Sequence, residues 1–500
     1  MSAMFSALRH PNYRLWAAGA LVSNVGTWMQ RVAQDWLVLT QLTQHDGAAV
    51  GITTGLQFLP ILVLGPYAGV LGDRLDKRKL LIATQSAMGL LALLQGVLVL
   101  TGTVQLWQIY AIALGLGVAS AFDAPPRQAF VSELVGRQDI PNAVALNSAS
   151  FNLARLAGPG VAGLLIGVIG TGWVFLLNAA SFAGVLLSLS KLRTDLLHPS
   201  PRVPRGKHQI IEGIRYVRTQ PRIVLILAMA GVVGMFTLNF QVTNALMAAD
   251  VFHAGPDGYG LLGSVMAVGT LAGALLAARR KKPRMTLLVA AAILLGIATV
   301  VAATMPSYFW FAVMLMFVGL SSITFLNLCN TIVQLGTDAQ YRGRVLALYM
   351  AVIQGGTPIG APLIGWVANT AGARWSILIG GLAALAAGLL GVVALNRWGE
   401  GSFRDQVRAV WAARRLEAAT AADGVPSPRA ATEPQAALAG QTTVGVPETG
   451  AVRVPETEGT RVKACSRGDS RPKTGSIGRV ATGSMPRIAP RRPTEPLREG

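Results

Sequence analysis

The sequence predicts an all-α integral membrane protein with twelve transmembrane helices in two six-helix halves related by a pseudo-two-fold axis. Three observations predict it. Hydrophobic residues make up 52% of the 500 and charged residues only 13%, whereas soluble domains carry about 25% charged residues. Twelve apolar runs approach or exceed the roughly 20 residues that cross a bilayer. A piece of the first half also recurs in the second. Gly65-Pro-Tyr-Ala-Gly69-Val-Leu is echoed by Gly269-Thr-Leu-Ala-Gly273-Ala-Leu, and a basic loop follows each copy.

The runs fall at 14–38, 48–71, 80–101, 105–122, 143–169, 173–190, 223–247, 258–278, 285–304, 308–332, 345–368 and 375–396. An even number of spans puts both termini on one side. One set of loops holds Arg9, Arg14, the Arg74–Lys79 cluster, Arg127, Arg137, the basic segment from Lys191 to Arg222, Arg279–Arg284, Arg342, Arg344 and Arg397. The other set holds only Arg374. Lys and Arg accumulate on the cytoplasmic side, so both termini are expected in the cytoplasm and the protein in the inner (cytoplasmic) membrane. The expected organisation is a six-helix half at 1–190, a central cytoplasmic loop at 191–222, a second half at 223–398 and a basic cytoplasmic tail at 399–500. Within the loop, 209–218 reads as a short amphipathic helix. Halves of six spans share one topology, so their axis lies along the membrane normal.

The turn after span two packs six charges into the seven residues Asp73 to Lys79. Gly69-x-Leu-x-Asp73-Arg74-x-x-Lys77-Arg78 resembles the signature loop of the major facilitator superfamily. Phe122-Asp123-Ala124-Pro125-Pro126-Arg127 and Arg342-Gly343-Arg344 resemble its bacterial branch of enterobactin-type siderophore exporters and drug and macrolide efflux proteins. The resemblance implies that Gly69, Asp73, Arg74, Lys77 and Arg78 form a cytoplasmic latch. The second copy is degraded, with Ala277 and Ala278 in place of the acid and base, so such a latch is one-sided. Gly158-Pro159-Gly160-Val161-Ala162-Gly163 resembles the exporter motif of span five, with Gly158, Pro159 and Gly163 in place. Small residues let helices approach closely, and Pro159 removes a backbone donor. Small-residue pairs at Gly65/Gly69, Gly163/Gly167, Gly269/Gly273 and Gly356/Gly360 are expected in the contact between halves. Span four departs from the drug-antiporter pattern, with Ala111 where those proteins carry Arg.

Polar residues inside spans mark the expected substrate or ion pathway. Asn24, Trp28, Arg31 and Asp35 in span one are spaced four, three and four apart, which places them on one helix face. Arg31 and Asp35 are spaced to pair. Asp35 is a candidate proton carrier. The alternative is a purely structural pair near the outer boundary. Span seven offers Thr237, Gln241 and Asn244, neutral groups suited to hydrogen bonding a substrate or another helix. Arg155 in span five and Gln354 in span eleven complete the set; Arg155 could meet an anionic substrate group or Asp35. Asp123 and Arg127 read as an elbow or gate pair at the inner end of span four, where Pro125-Pro126 is expected to break the helix.

The functional expectation is a secondary active transporter, not an enzyme. It would export a small organic molecule (a drug, macrolide or siderophore) by alternating access, with a proton gradient and no cofactor. A nutrient uptake carrier and a transporter-like scaffold or sensor are the alternatives. No GxxxxGK[ST] phosphate loop occurs in the chain, which argues against ATP-driven transport. No metal-ligand cluster stands out. The net charge of +20 sits in loops and tail, not in a basic domain, which argues against nucleic acid. The expected partners are the substrate and the lipid bilayer, with the chain a monomer. In the tail, Phe403, Val407, Val410 and Trp411 form an apolar stripe suited to the inner leaflet. After about 420 the composition predicts disorder.

Overall fold

The computed structural model describes residues 3–198, 209–278 and 283–398, which lie within one compact unit. The tail from 399 onward, and with it the Phe403–Trp411 stripe, lies outside the described residues. Every regular element among the described residues is helical. In the first half these are α1 (Pro11–Leu37), α2 (Gly47–Arg74), α3 (Lys77–Leu100), α4 (Leu106–Glu133), α5 (Ile140–Ile169) and α6 (Thr171–Ser190). A linker helix α7 (Gln209–Arg218) follows. The second half holds α8 (Pro221–Val232), α9 (Phe240–Leu246), α10 (Pro256–Ala278), α11 (Met285–Thr304), α12 (Tyr308–Gly336), α13 (Arg342–Ala371) and α14 (Ala373–Arg397).

Eleven helical stretches among the described residues are long and apolar enough to cross a membrane. α1 is the further one. Its 27 residues exceed the length a bilayer needs, but polar residues along it, Asn24, Gln30, Arg31, Gln34 and Asp35 among them, make it less apolar than the other spans. It is held by neighbours rather than by lipid affinity, packing on α5 and α6.

Local sequence sets the helix ends. Asp46 caps α2 by accepting from the N–H groups of Ala48 and Ala49, and Asp76 caps α3 by accepting from Lys79. Gln105 and Gln108 form a reciprocal cap on α4. These contacts satisfy donors that a helix start leaves unpaired. Pro125 and Pro126, expected to break the chain, lie inside α4, which continues to Glu133. Asp123 holds that turn. It accepts from Thr84 Oγ1 at 2.8 Å, Gln85 Nε2 at 2.7 Å and Arg127 Nε at 2.7 Å, fastening α4 to α3.

Span seven is not one helix either. α8 runs into a π-helical turn at Val233–Thr237, the ladder breaks at Leu238 and Asn239, and α9 restarts at Phe240. The Asn239 amide donates to Met235 O at 2.6 Å, and Thr237 Oγ1 donates to Gly380 O at 2.7 Å. Side chains thus take over at the break, as buried backbone in a membrane requires.

The internal repeat is visible in the backbone. α1 ends in a π-helical turn, Val38–Leu42, before His45 at φ 61°; α9 ends in another, Met247–Val251, before His253 at φ 48°. Gly170 (φ 83°) is the one-residue turn between α5 and α6, and Gly372 (φ 98°) is its counterpart between α13 and α14. An L side chain rarely adopts this backbone, so glycine is required at both corners.

The halves meet at one end. α2 packs on α13 and α5 on α10. A Cβ built on Gly55 would come within 3.0 Å of Pro358 O, and one on Gly51 would overlap Ala361 O. Gly365 abuts Gly47 O in the same way. Gly47 N–H donates to Asn369 Oδ1 at 2.7 Å, the Asn369 amide donates to Asp46 at 2.6 Å, and His45 bonds Asp250. Toward the other end, a Cβ on Gly65 or Gly343 would meet no atom within 4 Å among the described residues. α9 touches α1 and α2, whereas α8 packs on α12, α13 and α14. The interface is therefore closed at the α1–α2 turn and splayed at the end bearing the basic loops. Of the paired glycines expected between halves, Gly163 is there. Gly269 and Gly273 instead abut α12, and Gly356 and Gly360 abut the Gly234–Met235 backbone, within the second half.

The basic loops have defined partners. Lys77 Nζ meets Glu133 Oε1 at 2.6 Å. Arg78 donates to the Leu189 and Ser190 carbonyls, a favourable place for a cation at the C-terminus of α6. Both contacts stay within the first half. The side chains of Asp73 and Arg74 lie outside the described residues. α7, at the expected place, docks on the second half: Glu212 pairs with Arg344 at 2.6 Å and Tyr216 stacks on Tyr341 with centroids 4.4 Å apart. Arg374, the single basic residue of the opposite loops, donates to the Ala303 and Met305 carbonyls at 2.8 Å each.

Replacing Gly51 with Val should wedge the α2–α13 contact, at about 1–3 kcal/mol for an overpacked site. Spin labels on the α1–α2 and α13–α14 turns should then report a longer distance. An unchanged distance distribution would contradict this account of the closed end.

Candidate functional site

The candidate site lies where α1, α2 and α5 face the second half. Trp28 is its centre. The Arg31 guanidinium carbon is 5.0 Å from the centre of the Trp28 ring, and that of Arg155 is 5.9 Å from the same centre. Arg31 also lies 5.6 Å from the Phe58 ring centre, and Phe151 meets Trp28 edge to face at 6.1 Å. Cations over aromatic faces are attracted by the ring quadrupole.

The helix path makes this cluster possible. A Cβ on Gly158 would come within 2.5 Å of Trp28 Cβ, so only glycine lets α5 approach α1 closely enough to seat the indole beside Arg155. One residue on, Pro159 interrupts the α5 ladder. The missing Pro159 N–H leaves the Arg155 carbonyl without its helical donor, and Ser264 of α10 enters the adjacent rung: its hydroxyl donates to Leu156 O at 2.7 Å and accepts from Gly160 N–H at 3.0 Å. Leu156 and Gly160 are the two ends of a helical hydrogen bond, and a side chain from the other half now sits between them. Gly163 lies against Pro256 and Gly260 of α10, and Gly263 against Pro159. The three motif residues Gly158, Pro159 and Gly163 are thus all contact residues, the first within its half and the others across halves.

Arg31 and Asp35, spaced to pair, do not form an ion pair among the described residues. Asp35 is buried and takes its bond from the other half: the Tyr259 hydroxyl donates to Asp35 Oδ2 at 3.0 Å, with the Gln241 carbonyl 3.3 Å away. Tyr259 also stacks on Trp36, centroids 6.1 Å apart. Aromatic packing and a long reach place the phenol on Asp35, and Arg31 turns to the aromatic cluster. Arg31 Nε is buried with no hydrogen-bond partner among the described residues. A charge at a helix centre costs about 2.5–3.5 kcal/mol on insertion scales, so two such arginines against one nearby acid leave a positive surplus.

The remaining predicted residues divide. Thr237 is occupied by Gly380 O, as described above, and acts as a staple in span seven. Asn244 is buried, and its Oδ1 has no partner. Gln241 contributes its carbonyl to the Tyr259 contact. Asn24 and Gln354 are half-buried and make no hydrogen bond among the described residues. Gln30 and Gln34, which flank the span-one stripe, belong instead to a buried network with Gln95 and Asn178 that joins α1, α3 and α6. Sequence reasoning missed Phe58, Phe151, Tyr259 and Ser264. Single aromatic or hydroxyl residues in apolar runs carry no periodic signal; only their contacts identify them.

Two changes test this geometry. Tyr259→Phe keeps the ring and removes the cross-half bond to Asp35, which should cost about 1.5–3 kcal/mol of the closed arrangement. A cysteine placed in the α1–α2 turn of the detergent-solubilised protein should then label faster. Ser264→Ala removes both bonds of the Ser264 hydroxyl to α5, the one given to Leu156 C=O and the one accepted from Gly160 N–H, at about 1–3 kcal/mol. It should lower the melting temperature in detergent, and Ser264→Thr should restore part of the loss.

The whole chain places this architecture in a family. The family model described as transmembrane secretion effector matches residues 2–424. The multidrug efflux pump Tap of Mycolicibacterium fortuitum is 29% identical over 397 residues, covering 75% of this chain and 93% of that protein. The enterobactin exporter EntS of Shigella boydii is 26% identical over 363 residues, covering 71% and 85%. Among solved structures, an inward-facing, occupied bacterial homologue of the human lysosomal transporter Spinster superposes with a TM-score of 0.59 at 15% identity, covering 77% of this chain and 97% of that one. With this match and this fold, the chain belongs to the transmembrane secretion effector family of the major facilitator superfamily of transporters.

Proposed function

We propose that this protein is a secondary active exporter of a small organic molecule, working by alternating access in the cytoplasmic membrane with both termini inside. The observation that carries the reading is the interface between halves, sealed at one end and splayed at the other, with charged and aromatic side chains between. By the distribution of Lys and Arg the splayed end faces the cytoplasm. A substrate taken up from there and released outside is exported. The names of the relatives, a multidrug efflux pump and an enterobactin exporter, support the same direction. Rocking of a first half at 1–190 against a second at 223–398, joined by 191–222, would alternate access. The chain is read as working as a monomer.

Energy is assigned to the proton gradient. Among the described residues Asp35 is the acid beside the arginine cluster, and it joins the halves through Tyr259. It is therefore the candidate proton carrier, because a change in its charge acts on a contact that must break when the closed end opens.

Inside-out vesicles with an acidified lumen test both parts. Labelled drugs, macrolides and siderophores should include at least one compound that accumulates above empty vesicles, with a protonophore abolishing the accumulation. Asp35→Asn should remove gradient-driven accumulation but leave substrate exchange. Movement of no compound would defeat the transporter reading. Accumulation only under the opposite gradient and orientation would make the protein an importer.

A further inference from the structure

We propose that the cluster of Trp28, Arg31 and Arg155 is a substrate site for an organic anion, with one acidic head between the guanidiniums and a flat apolar body against Trp28, Phe58 and Phe151. The inference rests on the transporter reading and names the chemical class that reading leaves open.

Charge balance leads to it. Two guanidiniums approach one indole, and like charges brought together repel. Among the described residues they have no ion pair to protein, and Arg31 Nε has no hydrogen-bond partner. Asp35 is the acid nearest in sequence and acts on Arg31 through space, but its hydrogen bond goes to Tyr259. Asp123, Glu133, Asp250 and Asp46 are engaged elsewhere, with Arg127, Lys77, His45 and Asn369. Two positive charges against one negative leave a surplus of one. Arginine suits such a site because its planar fork of donors matches a carboxylate and stays charged.

The aromatic rings select the rest of the molecule. Phe58 comes from α2 with its ring centre 5.6 Å from the Arg31 guanidinium carbon, and Phe151 of α5 meets Trp28 edge to face, so flat apolar surfaces lie beside the cations. Pockets that orient a ligand combine such walls with a few polar groups. A hydrophilic inorganic anion would gain nothing from the rings, and an organic cation would meet the surplus positive charge.

Three naphthalene probes share a body and differ in head: 2-naphthoate, its carboxamide and 2-naphthylmethylammonium. Binding to the purified full chain in nanodiscs is measured by equilibrium dialysis. The carboxylate should bind at least tenfold tighter than the amide, and the ammonium weakest. Arg31→Gln and Arg155→Gln should each erase the preference while keeping the wild-type elution profile; Arg31→Lys and Arg155→Lys should retain part of it. The proposal is overturned if the wild type shows no carboxylate preference, if it binds no probe, or if the Gln variants keep the preference. Vesicle transport separates the two readings. Gradient-driven movement of the ammonium but not the carboxylate would sink the anion site and leave the transporter. Carboxylate preference in binding, with no gradient-driven movement of any compound, would do the reverse.

Discussion

Inside a bilayer no water completes an interrupted backbone ladder, so every break in a span must be repaired by protein. This constraint organises the molecule. α5 is interrupted at Pro159, and the adjoining Leu156–Gly160 rung is bridged by Ser264 from the opposite half. Span seven is interrupted at Leu238 and Asn239 and repaired by Asn239 itself, with Thr237 anchored on α14. The first repair crosses between halves and so exists only while they are packed together. The second stays within one half and can survive a rearrangement. The same chemistry thus serves once as a separable contact and once as a permanent staple.

The halves differ as strongly in charge as they agree in backbone. π-helical turns, left-handed residues and glycine corners recur in both. The arginines, the acid and the indole of the site all belong to the first half, whereas the second offers Asn244, Gln241 and the Tyr259 hydroxyl. A duplicated scaffold gives two halves that can move as similar bodies, and its divergence puts the electrostatic work in one of them. The loop after span two follows the same division: Lys77 and Arg78 fasten the ends of α3, α4 and α6 within the first half, and the corresponding positions at the end of α10, Ala277 and Ala278, carry no acid–base pair to match Asp73 and Arg74.

Much of this was legible in the sequence. Apolar length fixed the spans to within a few residues in most cases, and the 209–218 helix stands where its pattern placed it. The failures have identifiable causes. Pro125 and Pro126 promised a break, but Asp123 and its three donors hold the turn within α4. Arg31 and Asp35 promised a local pair, but helical spacing only permits a contact; Tyr259, more than two hundred residues away in sequence, outcompetes it. The glycine pairs promised an interface between halves. Spacing alone does not say which neighbour a small residue admits, and two of the four pairs admit helices of their own half. Long-range partners decided each case, and a single sequence does not display them.

Site and gate share their supports. On α1, Arg31 stands four residues, about 6 Å along the helix axis, before Asp35; the first faces the aromatic cluster and the second holds Tyr259 across the interface. On α5, Arg155 immediately precedes Leu156, whose carbonyl receives the Ser264 hydroxyl. Helices of this length move nearly as rigid bodies over a single turn. A displacement of the first half that frees Asp35 from Tyr259 and α5 from Ser264 therefore carries Arg31, Trp28 and Arg155 with it, away from the second half. Opening the sealed end and moving the charged cluster relative to the second half are then one mechanical event, without any further element to connect them.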